Sequence, residues 1–187
     1  MKLELWTTFG SGGWQEHFHQ TTLFTPDLGR ENQVINLYPD AVFDTLEGFG
    51  GAVTDAAGFV YSLMDEQQKQ NLMQTYFSPE RMNYRLVRIP LDSCDFATGI
   101  YEAVSDPKDE GLCSFSFART EKYILPMLMD AQKAAGKPLE LMLTPWSPPA
   151  FMKTTGRRCY GGHLKPEYRK MWARYLCRYI VEFQKRG

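Results

Sequence analysis

Three short apolar segments, near 45–50, 84–90 and 139–145, each lead into a stretch with helical spacing, and this alternation limits the fold most strongly. A helix between two strands returns the chain to the same end, so the strands lie side by side and parallel. The first helix starts at Thr54 or Asp55 as N-cap, with apolar positions Phe59, Val60, Leu63 and Met64. Asp65 with Gln68 forms a capping-box pattern that opens a second helix, 65–77, with Leu72, Met73, Tyr76 and Phe77 on one face. A third helix starts at Glu121, with Gly136 just past its end; Pro126 lies in its first turn or at a kink. A fourth starts at Pro166, which suits a first helical turn. Its Tyr168, Met171, Trp172, Tyr175, Leu176, Tyr179, Ile180 and Phe183 follow helical spacing, as a core-packing stripe does. Ahead of this pattern, 33–39 and 41–49 read as short strands around a turn at Pro39-Asp40.

In parallel α/β folds, ligands gather beyond the C-terminal ends of the strands. The loops that follow the strands, 50–55, 90–116 and 144–165, are rich in Gly, Pro, acids and aromatics. The opposite connections, 81–83 and 136–138, are short and plain. A barrel or open sheet with one working face has this asymmetry.

The segment YRLVRIPLDSCDFATG, 84–99, concentrates the candidates. It begins as a buried strand and then releases Asp92, Cys94, Asp95 and Phe96 into a loop. Acids there either cap turn N–H groups or accept hydrogen bonds from a ligand. Arg88, near the strand end, has the geometry to orient a carboxylate. In TPWSPPAF, 144–151, three prolines stiffen a loop around Trp146, which serves either as packing or as a platform for a sugar ring. GFGG, 48–51, falls short of the dinucleotide pattern because Val53 stands where a third glycine is needed. A tight backbone approach is the better reading.

Net charge is −1, which offers no electrostatic reason for a nucleic-acid or acidic-membrane partner. No apolar run approaches a membrane span, and the first residues carry no continuous apolar leader, so a cytoplasmic location is expected. Cys94, Cys113, Cys159 and Cys177 are too scattered for paired metal ligands, and Cys159 with His163 lacks the two further ligands zinc requires. Reduced thiols, no metal and no cofactor are expected.

GFGGAVTDAA, VRIPLDSCDF and LTPWSPPAFMKT, followed by the WARY helix, together resemble glycoside hydrolase family 30, in its glucosylceramidase-like branch. The resemblance covers about 42–187, with 1–41 as a looser lead-in. It implies an α/β fold: about the first three βα units of a (β/α)8 TIM barrel, preceded by short strands of a β-sandwich. It also implies retaining hydrolysis of β-glycosides, with a carbohydrate or glycolipid as substrate. Asp95 would bind sugar hydroxyls in the −1 subsite with Phe96 beside it, Trp146 would line that subsite, and Arg88 would lie beneath it. Asp92 departs from the small residue expected, so its role stays open.

Retaining glycosidases use two carboxyl groups about 5–5.5 Å apart. In this family they follow the fourth and seventh barrel strands, positions that lie beyond Gly187. Among the glutamates present, Glu66, Glu121, Glu167 and Glu182 fall on predicted helices, and Glu47 precedes a strand end. Glu102 and Glu110 occupy a top loop without a matched partner. No catalytic residue is therefore assigned. The alternative is a non-catalytic remnant with at most weak sugar binding. Three units of eight leave open sheet edges, so self-association is expected.

Overall fold

The computed structural model describes residues 2–9, 16–23, 26, 29, 36 and 38–187. The chain divides into two compact units, Met1–Thr45 and Leu46–Gly187.

In the first unit, strands β1 (Lys2–Phe9) and β2 (Glu16–Leu23) pair antiparallel, with Leu5 opposite Gln20. The expected strand at 33–39 falls largely outside the described residues. The turn is present, with the Ala41 N–H donating to the Tyr38 carbonyl at 3.0 Å. The strand expected at 41–49 does not form, and Phe43 is 90% exposed. Its β-branched and aromatic content suits a strand, but a strand needs a ladder partner, and among the described residues this stretch joins no named sheet, with Phe49 alone offering its carbonyl to the Arg85 N–H at 2.9 Å.

The second unit is built on β3 (Gly50–Ala52), β4 (Leu86–Leu91) and β5 (Glu140–Pro145), parallel and in chain order. Gly50 lies opposite Leu86, and Leu86 opposite Glu140. Helices α1 (Asp55–Ser62) and α2 (Glu66–Phe77) lie between β3 and β4 in the chain. Helix α3 (Ala118–Ala135) lies between β4 and β5, and α4 (Arg169–Gln184) follows β5. These are consecutive parallel strand–helix units, the arrangement expected of the first units of a TIM barrel. β3 starts later than the sequence suggests because pairing with β4 begins only at Gly50. A side chain there would put its Cβ 1.9 Å from the Leu86 carbonyl oxygen, so the close approach requires glycine.

Local signals set the helix ends. The Thr54 hydroxyl accepts from the Ala57 N–H, which makes Thr54 the N-cap of α1. Asp65 and Gln68 close the expected capping box of α2. Gly136 ends α3 in the left-handed conformation at φ 65°. Pro126 lies inside α3.

The core forms where the helices cover one sheet face. Val87, Ile89 and Leu91 of β4 meet Ile124, Leu128 and Ala131 of α3 and Met171, Tyr175, Tyr179 and Phe183 of α4. The α4 stripe is thus core, apart from Ile180, which is exposed. In α1 the buried positions are Asp55, Gly58 and Tyr61, whereas Leu63 is 70% exposed. Backbone approach decides this. A Cβ on Gly58 would stand 2.2 Å from the Tyr123 carbonyl oxygen, so α1 presses its glycine side onto α3. The contact offsets the roughly 1 kcal/mol helix penalty of glycine.

Asp55 clamps three segments. Its carboxylate accepts from Arg119 Nε at 2.7 Å and Nη2 at 3.0 Å, and from the Thr98 N–H and hydroxyl, each at 2.9 Å. Burial pushes its pKa up, but the Arg119 guanidinium and the Thr98 donors outweigh burial and hold it below the ordinary carboxylate value of 3.8. A depressed folded pKa means the stabilisation is complete above the unfolded value, about 3.9, and is lost as pH falls through the folded one. Urea unfolding at pH values from neutral down to about 2.5 should therefore show a larger parent-over-Asp55→Asn advantage at neutral pH than in acid. An advantage independent of pH would count against the clamp.

Candidate functional site

The β-strands point their C-terminal ends at three loops: Val53–Thr54 after β3, the stretch from Asp92 to Phe117 after β4, and Trp146–Lys165 after β5. Two bonds brace the first two loops against neighbouring elements, the first loop against β4 and the second against α1. The Val53 N–H donates to the Arg88 carbonyl at 3.0 Å, and the Ala56 N–H to the Phe96 carbonyl at 2.9 Å.

Alternation along β4 sends Val87, Ile89 and Leu91 toward the helices and Arg88 to the opposite face. Ala52 of β3 and Met142 of β5 are its in-register neighbours. Thr144 lies two residues beyond Met142 on the same face, and Arg88 Nε donates to its hydroxyl at 3.2 Å. The guanidinium carbon is 5.3 Å from the Trp146 ring centre, within cation–π range. Residues 58 positions apart in sequence are thus paired by strand register. Trp146 remains 40% exposed.

Asp95 is exposed on the loop after β4, and Phe96 is 62% exposed beside it. The Ala97 N–H donates to the Cys94 carbonyl at 3.0 Å, and this turn presents both side chains. Cys94 is half-buried, and burial pushes its thiol up, away from the reactive thiolate. The loops therefore expose an indole, a phenyl ring and a carboxylate, with a cation against the indole. That combination suits a ligand with one apolar face and many hydroxyls.

Asp92 has a different place. It is 2% exposed and holds φ at 60°, a left-handed conformation uncommon outside glycine. Its carboxylate accepts from the Tyr179 hydroxyl at 2.6 Å, from the Tyr175 hydroxyl at 2.6 and 2.8 Å, and from the Ala103 N–H at 3.0 Å. Arg158 Nη1 stands 3.3 Å away, and Arg158 Nη2 donates to the Ser93 carbonyl at 2.9 Å. Burial, then the Asp92 charge, pushes both tyrosines far above the ordinary phenol value, so they stay protonated donors. The sequence placed these tyrosines in the core but gave no sign that their hydroxyls converge on Asp92. Arg158 was not singled out at all. The available hint is a tyrosine, not a phenylalanine, at two fully buried helical positions.

Glu102 is committed as well. It accepts from the Ala150 N–H at 2.6 Å and lies 3.9 Å from Arg158 Nη1. Burial raises its pKa, opposed by the Ala150 N–H and by Arg158. Glu110 is exposed and offers its backbone carbonyl to Arg174. Among the described residues, no three of His, Cys, Asp or Glu converge as metal ligands, and no helix is long and apolar enough to cross a membrane. Clefts of about 450 and 460 Å³ lie away from these loops. The first is between α1, α2 and α3, and the second is between β5 and α4.

The profile described as the glycosyl hydrolase family 30 TIM-barrel domain matches residues 46–187. Mouse lysosomal acid glucosylceramidase is 31% identical over 159 residues, covering 82% of this chain and 31% of that protein. Putative glucosylceramidase 4 of Caenorhabditis elegans is 33% identical over 150 residues, covering 78% of this chain and 29% of that protein. The crystal structure of SrfJ from Salmonella typhimurium superposes with a TM-score of 0.82 at 34% identity, covering 91% of this chain and 38% of that one. The chain spans about a third of the length of these proteins. The strand order, the loaded C-terminal loops and these likenesses agree: the chain belongs to glycosyl hydrolase family 30, in its glucosylceramidase-like branch.

Proposed function

We propose that this chain supplies part of the sugar subsite of a retaining β-glycoside hydrolase acting on a β-glucoside, either of a lipid or of an oligosaccharide. The observation that carries this reading is the Arg88–Trp146 pair at the strand ends, with Asp95 and Phe96 exposed on the adjoining loop. Trp146 stacks on the apolar face of the pyranose. Asp95 accepts from two neighbouring hydroxyls, Phe96 closes one side, and Arg88 fixes the indole and the floor. The glucosylceramidase relatives support a glycolipid substrate.

Catalysis is assigned to no residue of the 187. Hydrolysis with retention needs a nucleophile and an acid/base about 5–5.5 Å apart. Asp55 and Asp92, buried at the top loops, and the half-buried Glu102 are engaged by protein donors. In the family pattern both catalytic glutamates follow later strands. Residues 1–41 belong, on this reading, to a side domain of β-sandwich type, and 42–187 to the barrel.

Three outcomes are expected. Glucose changes Trp146 emission with a dissociation constant of about millimolar, and Asp95→Ala removes the response; an equal response in that variant would refute the assignment. The 187-residue chain alone shows no turnover of an aryl β-glucoside, and specific hydrolysis by a clean preparation would overturn this. The chain self-associates through the open β5 edge, where Leu141, Leu143, Ile180 and Phe183 line an apolar groove. Sedimentation that stays monomeric at every concentration would contradict it.

A further inference from the structure

The β4–β5 ladder ends at the Leu91–Pro145 pair. Past that point the two ligand-facing loops lose their shared backbone bonds, and side chains must set their spacing. Arg158 makes the junction. Its guanidinium holds Asp92 at 3.3 Å and the Ser93 carbonyl at 2.9 Å. Its own carbonyl accepts from the Ser147 hydroxyl at 3.0 Å and from Lys153 Nζ at 2.7 Å. Ser147 directly follows Trp146, and Ser93 shortly precedes Asp95 and Phe96. One residue therefore grips both loops beside the groups that face the ligand.

Asp92 makes this grip rigid. Glycine would adopt its left-handed backbone at lower cost. What glycine lacks is a carboxylate, which here gathers two tyrosine hydroxyls, one N–H and a guanidinium at a site almost wholly removed from water. A buried charge of this kind is tolerated only when it is paired and hydrogen-bonded. The pairing anchors Arg158 to α4 through Tyr175 and Tyr179.

We infer that Asp92, acting through Arg158, is a positioning residue that sets the spacing between Trp146 and the Asp95–Phe96 turn. This rests on the sugar-subsite reading and adds the group that holds the subsite in shape. It does not touch the ligand itself.

The test uses the 187-residue chain with Trp146 as its sole tryptophan, after Trp6, Trp14 and Trp172 are replaced by phenylalanine. Acrylamide quenching of Trp146 is compared in the parent, Asp92→Asn, Arg158→Gln and the double variant. Trp146 is 40% exposed, so its release should raise the quenching constant by up to about twofold, with far-UV circular dichroism unchanged. The double variant should be no worse than Arg158→Gln, because Asp92 acts through the guanidinium and adds nothing once it is gone, while Glu102, 3.9 Å from Arg158 Nη1, loses the same cation in both. Unchanged quenching in the single variants, or additive losses in the double, would overturn the inference. If Asp92→Asn fails to fold, Tyr179→Phe, which removes one 2.6 Å bond to the carboxylate, is read the same way. Increased quenching supports positioning, and no change overturns it. No sugar enters this measurement, so failure to bind glucose would sink the subsite reading alone.

Discussion

Strand β4 hydrogen-bonds on both of its edges, to β3 and to β5, and buries one face beneath α3 and α4. Every other part of the second unit is placed relative to it. Its alternation puts Val87, Ile89 and Leu91 in the core and leaves Arg88 on the face that meets Thr144 and Trp146. A slip of one residue would exchange the two sets and remove both the core and the cation at the indole. Packing and the Arg88–Trp146 contact thus depend on the same register.

Beyond the strand the governing interactions become polar. Asp92 lies one residue past β4 and is buried among α4 tyrosines, while Asp95, three residues further on, is exposed. The two acids occupy one loop and have opposite environments. The first exchanges water for four protein donors. The second keeps its water, which leaves its acceptor atoms available to hydroxyls. A hydrated carboxylate gives them up at modest cost when a ligand replaces each bond, whereas a buried carboxylate has none to spare.

Much of this was legible from sequence. The Asp65–Gln68 box, Gly136 past α3, and the strands that became β4 and β5 rest on local rules, and the structure meets them. Arg88, Asp95, Phe96 and Trp146 are the candidates the motifs offer, and the fold brings Arg88 and Trp146 into contact while leaving Asp95 and Phe96 open. The strand at 41–49 and the apolar face of α1 were misread for related reasons. Side-chain character suited a strand at 41–49, but the ladder to β4 starts only at Gly50. Hydrophobicity suited Leu63 for the core, but Gly58 is what lets α1 approach the α3 backbone.

Sequence alone determined the alternation of strand and helix, the helix caps and the membership of the glucosylceramidase-like branch, because periodicity and capping are short-range properties of neighbouring residues and each motif is read along the chain whatever packs against it. Only the tertiary structure decided what Asp92 does. Its partners Ala103, Arg158, Tyr175 and Tyr179 are 11, 66, 83 and 87 residues away, and no local pattern links them. Whether a carboxylate faces water or four buried donors depends on which distant segments pack against it, and that is settled when α4 closes over β4.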